Sequence, residues 1–321
     1  MQTYLLFFSG FIILIIGAKW LVDGAASIGK KSGMSQMLIG LTLVALGTSL
    51  PELVINVFAS IKGSTDLAIG NVLGSNIINT LFIIGITALI YPIKMLGKKC
   101  STDILFNLFS IVILILIAND FIFGKPENKI DLTDGIILLV VLGGFLYYSF
   151  FKSGEKQDVD SADSIKEHNL LKSIAFIIVG MGGLFFGGKW IVSGVGQIAV
   201  DFSLSESVIG LTLVAIATSL PELVTSIIAA TKKNTELAIG NAVGSNIFNI
   251  LLVLGVSSII HPIEFNNSLN FELGILFASA ILLIVFIRLR IGGLKKSISR
   301  VEGLIMMILY ICFIVWSFIN K

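Results

Sequence analysis

The sequence predicts an all-α polytopic membrane protein: ten transmembrane helices arranged as two inverted five-helix repeats. Three observations carry this. The 321-residue chain is 55% hydrophobic and only 13% charged, with mean hydropathy +0.99, whereas soluble domains carry about 25% charged residues. Residues 36–85 align with 206–255 without a gap, and 29 of the 50 positions are identical; chance would give about three. Finally, the basic residues alternate between successive connections, as they do when each span reverses the side of the chain.

A span needs about 20 apolar residues. Such runs fall near 3–23, 36–61, 67–91, 102–118, 132–151, 170–192, 206–231, 237–260, 271–288 and 301–319. The first run has no basic n-region and no small-residue cleavage site, so it reads as a helix rather than a signal peptide. It also has a counterpart in the second half: GAKWLV (17–22) matches GGKWIV (187–192). Five spans fall in each half, which gives a first repeat over 1–151, a linker over 152–169 (KSGEKQDVDSADSIKEHN), the most polar stretch of the chain, and a second repeat over 170–321. An odd number of spans per repeat makes the second copy enter from the opposite side. Loop charge agrees. Connections 1–2, 3–4, 5–6, 7–8 and 9–10 hold 16 Lys and Arg and the other face holds four. Positive loops stay cytoplasmic, so the reading is a multi-pass protein of the cell (inner) membrane, both termini outside and the linker inside.

Composition excludes several classes. A net charge of +2 argues against a nucleic-acid partner. Two cysteines, Cys100 and Cys312, make no disulfide framework or thiolate metal site, and the only histidines are His168 and His261. HExxH and GxSxG are both missing, so no enzyme chemistry and no cofactor are implied.

The duplicated motifs place chemistry inside the apolar runs. TSLPE occurs at 48–52 and 218–222. Pro51 and Pro221 have no N–H and break the helix. The break should free carbonyls around Ala45–Thr48 and Ala215–Thr218, which end a negative dipole pole and suit a hard cation. Ser49 with Glu52, and Ser219 with Glu222, have the Ser-x-x-Glu spacing of a capping box. A carboxylate at membrane depth costs about 2.5–3.5 kcal/mol to insert on the milder scales, so it usually has a function. The second motif is GNxxGSNIxN. Ser75 and Asn79 share one helix face at i, i+4, as do Ser245 and Asn249. Hydroxyl and amide oxygens are hard ligands suited to Na⁺ or Ca²⁺. Gly70, Gly74, Gly240 and Gly244 read as helix-packing residues, and Asn71, Asn76, Asn241 and Asn246 as structural. Lys19 and Lys189, beside tryptophans, read as snorkelling cations near span ends, and Asp23 as the end of span 1.

GTSLPE followed by GNxxGSNxxN, duplicated and inverted, resembles the calcium/cation antiporter superfamily, in its minimal prokaryotic sodium/calcium exchanger branch. The likeness covers essentially the whole chain. It implies broken helices 2, 3, 7 and 8 as a core, with spans 1 and 6 sliding over it in alternating access. It implies direct Ca²⁺ binding by Glu52 and Glu222, shared with Na⁺ sites; backbone carbonyls from Thr48, Thr218, Ala45 and Ala215; hydroxyls from Ser49, Ser219, Ser75 and Ser245; and Asn79 and Asn249 lining the centre. Gly47 is matched by Ala217, a departure beside the helix break. Some relatives, potassium-dependent exchangers among them, carry Asp at one of the two central positions where this chain has Asn. Ca²⁺ and Na⁺ would be substrates, exchanged electrogenically if the family's three-for-one ratio holds; the lipid bilayer is the only other partner implied. Ca²⁺/H⁺ exchange and K⁺-dependent exchange are the alternatives, with a cation channel behind them, since paired intramembrane acids also line pores.

Overall fold

In hydrocarbon each backbone N–H and C=O has to be paired within its own segment, so the apolar runs fold as helices. The computed structural model describes residues 2–94, 98–120, 127–152, 167–201, 214–288 and 297–320. Its helices are α1 (Gln2–Ser32), α2 (Gln36–Thr48), α3 (Leu50–Lys62), α4 (Thr65–Ile90), α5 (Lys98–Ala118), α6 (Leu132–Tyr147), α7 (Leu170–Asp201), α8 (Ala215–Thr218), α9 (Leu220–Thr231), α10 (Thr235–Ile260), α11 (Asn270–Arg288) and α12 (Arg300–Asn320). Among the described residues seven helices are long and apolar enough to cross a membrane, and eight if α2 and α3, bent by 44° at Ser49, form one span. The runs expected at 102–118 and 206–231 contain shorter apolar helices, Thr102–Ala118 and Leu220–Thr231. Part of the latter run, like most of the 152–169 linker, lies outside the described residues.

Polar residues set the helix starts. Ser35 accepts from Leu38 N (3.2 Å) ahead of α2. Asp131 and Asp134 form a capping box on α6. Ser299 and Glu302 form another on α12, with Ser299 N donating to Glu302 Oε2 (2.6 Å) and Glu302 N to Ser299 Oγ (3.3 Å). Gly63 ends α3 in the left-handed region at φ 72°. Its repeat equivalent, Lys233, holds the same conformation at φ 60° despite its side chain.

Two expectations about helix geometry are corrected. Helix α1 does not end at Asp23 but continues to Ser32. Asp23 pairs there with Lys232 in the turn after α9, and Lys19 lies well inside the apolar span Phe8–Ser32, whereas Lys189 is near the end of the span Leu170–Ile191. Spans 3 and 8 are not broken either: α4 and α10 are continuous, each with one wide π turn, at Ile78–Ile83 and Asn249–Leu254. A third π turn lies in α2 at Gly40–Val44.

Two short antiparallel strand pairs, absent from the sequence reading, clip the halves together. β1 (Ile93–Lys94) pairs with β4 (Ser297–Ile298), and β2 (Lys129–Ile130) with β3 (Ile263–Glu264). The apolar side chains form two clusters. The larger joins α2, α4, α5, α6, α10, α11 and α12. The smaller joins α1 and α7 to one side of α2, α9 and α10. Within it α1 and α7 run antiparallel in backbone contact, through glycines spaced by seven. A Cβ at Gly10, Gly17 or Gly24 would lie 2.9, 2.8 or 2.7 Å from the carbonyl oxygen of Gly187, Gly180 or Ser173. Their outward faces carry exposed Phe8, Ile12, Ile15, Ile178 and Phe186, as expected of lipid-facing helices.

Candidate functional site

The two prolines act as expected at the centre of the larger assembly. Pro51 and Pro221 sit in the first turns of α3 and α9, where the missing N–H is least costly. A chain break in each broken helix falls at Ser49 or Ser219, whose backbone leaves the helical region (φ −83°, ψ 7° and φ −79°, ψ 1°). The carboxylates that follow, Glu52 and Glu222, are fully buried, as are Thr48, Thr218, Ser219, Ser75, Ser245, Asn79 and Asn249; Ser49 is 2% exposed.

These residues meet across the two halves. Ser49 Oγ donates to Glu222 Oε1 (3.2 Å). Thr48 Oγ1 lies 3.3 Å from Ser245 Oγ, and Thr218 Oγ1 lies 3.3 Å from Ser75 Oγ. Among the described residues neither oxygen of Glu52 has a hydrogen-bond partner, although the Thr218 and Ser75 hydroxyls stand beside it. Glu222 Oε2, Ser219 Oγ, Asn249 Oδ1 and both amide atoms of Asn79 are likewise without partners among them. Buried polar atoms are normally satisfied, and one left alone costs about 1–3 kcal/mol. A cluster of orphaned oxygens from Glu, Ser and Asn is therefore a place built for something that binds oxygen.

Two details of the sequence reading change. The capping boxes do not form: neither serine makes a side-chain cap bond, and Ser49 reaches Glu222 instead of its own helix. The reason is that each carboxylate faces the opposite repeat, where the other acid and the hydroxyls lie. The Ala45 and Ala215 carbonyls are not wholly freed either. Each accepts a backbone N–H, from Ser49 and Ser219 (3.0 Å in both cases), leaving one lone pair over. The carbonyl whose ordinary partner is removed is the one four residues before proline, Gly47 or Ala217.

The asparagines read as structural are hydrogen-bonded. Asn71 and Asn241 accept from the opposite repeat's threonines, Thr218 (3.1 Å) and Thr48 (3.0 Å). Asn246 donates to Thr80 (2.8 Å) and Asn76 accepts from Asn249 (3.2 Å). Sequence reasoning missed Asn56 and Ser226, both fully buried and both bonded to those asparagines. Their signal was a polar residue four positions after each glutamate. It also missed Gly188: a Cβ there would lie 3.3 Å from Pro51 Cγ and 3.8 Å from Pro221 Cγ. So α7 passes directly over both helix breaks.

The comparisons agree with this architecture. The sodium/calcium exchanger protein family matches residues 3–151 and 172–319. The sodium/calcium exchanger MaX1 of Methanosarcina acetivorans is 31% identical over 98% of each chain. The inner membrane protein YrbG of Escherichia coli is 33% identical over 79% of each. The solved structure of the sodium-calcium exchanger NCX_Mj, soaked with 2.5 mM Na⁺ and 0.1 mM Ca²⁺, superposes with a TM-score of 0.80 at 30% identity, covering 98% of each chain. The fold is that of a helical membrane protein of the sodium/calcium exchanger class. This chain belongs to the sodium/calcium exchanger family, within the prokaryotic branch of the calcium/cation antiporters.

Proposed function

We propose that the chain exchanges Na⁺ for Ca²⁺ across the cell (inner) membrane by alternating access, with Ca²⁺ held between Glu52 and Glu222. The observation that carries this is a pair of fully buried carboxylates, one from each broken helix, linked through Ser49 and ringed by hydroxyl, amide and carbonyl oxygens. Hard cations take such oxygen sets. Two ionised carboxylates supply −2 and balance one Ca²⁺. The same charge makes the protein an exchanger rather than a one-way carrier. Burying each unpaired charge costs several kcal/mol, so a bare site resists becoming occluded while a loaded one does not. The ligand set is Glu52, Glu222, Ser49, Ser219, Ser75, Ser245, Asn79 and Asn249, with the carbonyls of Thr48, Thr218, Ala45 and Ala215.

The moving parts would be α1 and α7. Their separate apolar cluster, their close glycine contact and the seat of Gly188 over Pro51 and Pro221 support a pair that slides as one body over the core. Ten spans in two inverted repeats, 1–151 and 170–321, are supported by the strand pairs. Each pair joins two connections that loop charge assigns to the same side: 3–4 with 9–10, and 4–5 with 8–9. The basic 3–4 and 9–10 side is cytoplasmic, and both termini are external. YrbG's description as an inner membrane protein supports the location.

If three Na⁺ replace one Ca²⁺, the two loaded states differ by one charge and exchange is electrogenic. In sealed proteoliposomes loaded with Na⁺, each turnover then carries one net positive charge outward, so an inside-positive potential should speed Ca²⁺ entry and an inside-negative one should slow it. Ca²⁺ flux indifferent to the potential would refute this stoichiometry. Uptake driven by a pH gradient without Na⁺ would move the chain to the proton-coupled class.

A further inference from the structure

The site's polar atoms continue outward into two chains of hydrogen bonds with a forced direction. The first begins at the backbone carbonyl of Ala68, which can only accept. Asn56 Nδ2 donates to it (2.9 Å), so Asn56 presents Oδ1 to its other neighbour. Asn71 Nδ2 donates to that oxygen (2.7 Å), so Asn71 presents Oδ1 to Thr218. Thr218 Oγ1 then has to donate to Asn71 (3.1 Å).

The second chain begins at the repeat-related carbonyl, Ala238. Ser226 Oγ donates to it (3.4 Å) and accepts from Asn241 Nδ2 (3.1 Å), which also donates to the Glu222 backbone carbonyl (3.2 Å). Asn241 therefore presents Oδ1 to Thr48, which donates to it (3.0 Å). Asn56 and Ser226 occupy equivalent positions in the two copies. They differ in residue type, yet both impose the same direction on the chain of bonds.

That direction matters at the alanine carbonyls. Thr48 Oγ1 lies 3.2 Å from Ala45 O, and Thr218 Oγ1 lies 3.2 Å from Ala215 O. A threonine hydroxyl has one proton. Each alanine carbonyl already uses one lone pair on a backbone N–H. The threonine proton can go to the alanine carbonyl's second lone pair, to the asparagine or to the facing serine oxygen, but to only one of them.

We propose that Asn56 and Ser226 are positioning residues for ion binding. Each fixes the orientation of one asparagine amide, which draws a threonine hydroxyl off the neighbouring alanine carbonyl and leaves that oxygen for the cation. Without Asn56 the Asn71 amide can turn over; without Ser226 the Asn241 amide is held by the Glu222 carbonyl alone and is loosened rather than released. A threonine that loses its asparagine acceptor is free to donate to the alanine carbonyl, competing with the ion. The proposal rests on the exchange reading above.

The test is the apparent Ca²⁺ affinity of Na⁺-driven uptake by purified, monodisperse protein in proteoliposomes, with maximal rate and melting temperature recorded in parallel. Outer-shell partners of metal ligands typically contribute about 10–100-fold to affinity. Asn56→Leu should raise KM for Ca²⁺ about tenfold or more, and Ser226→Ala by less because the Glu222 carbonyl still holds Asn241, while the melting temperatures stay near that of the wild type. The swaps Asn56→Ser and Ser226→Asn place each copy's residue in the other and should retain nearly wild-type KM. A purely structural role would lower stability and maximal rate without moving KM, and the swaps would not rescue it. If Asn56→Leu does not fold, Asn56→Ala decides, since Asn56 Oδ1 is the acceptor that orients Asn71. Wild-type KM in that variant, or swaps as impaired as deletions, would overturn the proposal. Absence of Na⁺-driven uptake in the wild type would instead overturn the exchange reading.

Discussion

Replacing Gly180 with alanine should weaken the α1–α7 pair, while the same change two residues on should not. A Cβ at Gly180 would lie 2.7 Å from Leu21 N and 2.8 Å from Gly17 O; at Gly182 it would meet nothing within 4 Å. Ordinary contact begins near 3.4 Å, so the methyl at Gly180 is short by 0.7 Å at the nearer atom. Both obstructing atoms are backbone, so no rotamer change relieves the clash and the helices have to part. A gap of about 0.5–1 Å forfeits a quarter to a half of each dispersion contact along the seam. Overpacking of this kind costs about 1–3 kcal/mol. Alanine also gains about 0.5–1 kcal/mol over glycine inside a helix. That gain is common to both variants and cancels in their difference, leaving Gly180→Ala about 1–3 kcal/mol less stable than Gly182→Ala. At about 2–4 °C per kcal/mol the two melting temperatures should differ by roughly 2–12 °C in detergent. Trp20, stacked on Phe176 across the same seam at 6.0 Å, gives a local fluorescence signal. Equal melting temperatures would refute the close-packed seam.

Three further substitutions probe the break and the ends of the sliding pair. Pro51→Ala restores a donor for Gly47 O, about 0.5–1.5 kcal/mol, and loosens the unfolded chain, about 0.4–1 kcal/mol. Stability should therefore barely change while KM for Ca²⁺ rises as the helix closes; an unmoved KM would show that the break is not needed for binding. The Asp23–Lys232 pair ties α1 to the turn after α9, and its repeat equivalents are Ser193 and Lys62, which cannot form an ion pair. A part-exposed pair contributes about 0–1 kcal/mol. Asp23→Asn and Lys232→Gln should each change exchange rate by no more than about fivefold, and the double variant should match the singles. Additive effects in that cycle would mean the two residues act separately.

Much of the site was legible in the sequence because its signals are chemical and local. A proline after Ser-Leu breaks a helix wherever it lies, and a glutamate inside an apolar run needs a reason. Duplication then marked both twice, and the structure brings Glu52, Glu222, Thr48, Thr218, Ser75 and Ser245 together as those signals suggested. What was not legible depends on contacts between the halves. Ser49 and Glu52 have the spacing of a capping box, but the carboxylate turns toward the other repeat, where the companion charges lie. The wide turns that begin at Ile78 and Asn249 leave no mark in hydrophobic periodicity, and two-residue strands are too short to have one. The length of α1 was missed because Asp23 and the lysines at 30 and 31 look like a helix end. In the fold Asp23 finds Lys232, Lys30 finds Glu167 at 3.2 Å, and the helix runs on. Asn56 and Ser226 were passed over because an isolated buried polar residue says nothing until its partners are known.

The central claim is that Glu52 and Glu222 together hold the Ca²⁺ that Na⁺ displaces. The most direct measurement is uptake of radiolabelled Ca²⁺ into Na⁺-loaded proteoliposomes by the wild type, Glu52→Gln and Glu222→Gln, against Na⁺-free controls. Glutamine keeps the shape of the side chain and removes one of the two charges that balance the ion. The account predicts Na⁺-dependent uptake in the wild type and its loss in both variants, with melting temperatures no lower than the wild type's, since each change removes an uncompensated buried charge. Na⁺-driven uptake that survives either substitution would contradict it.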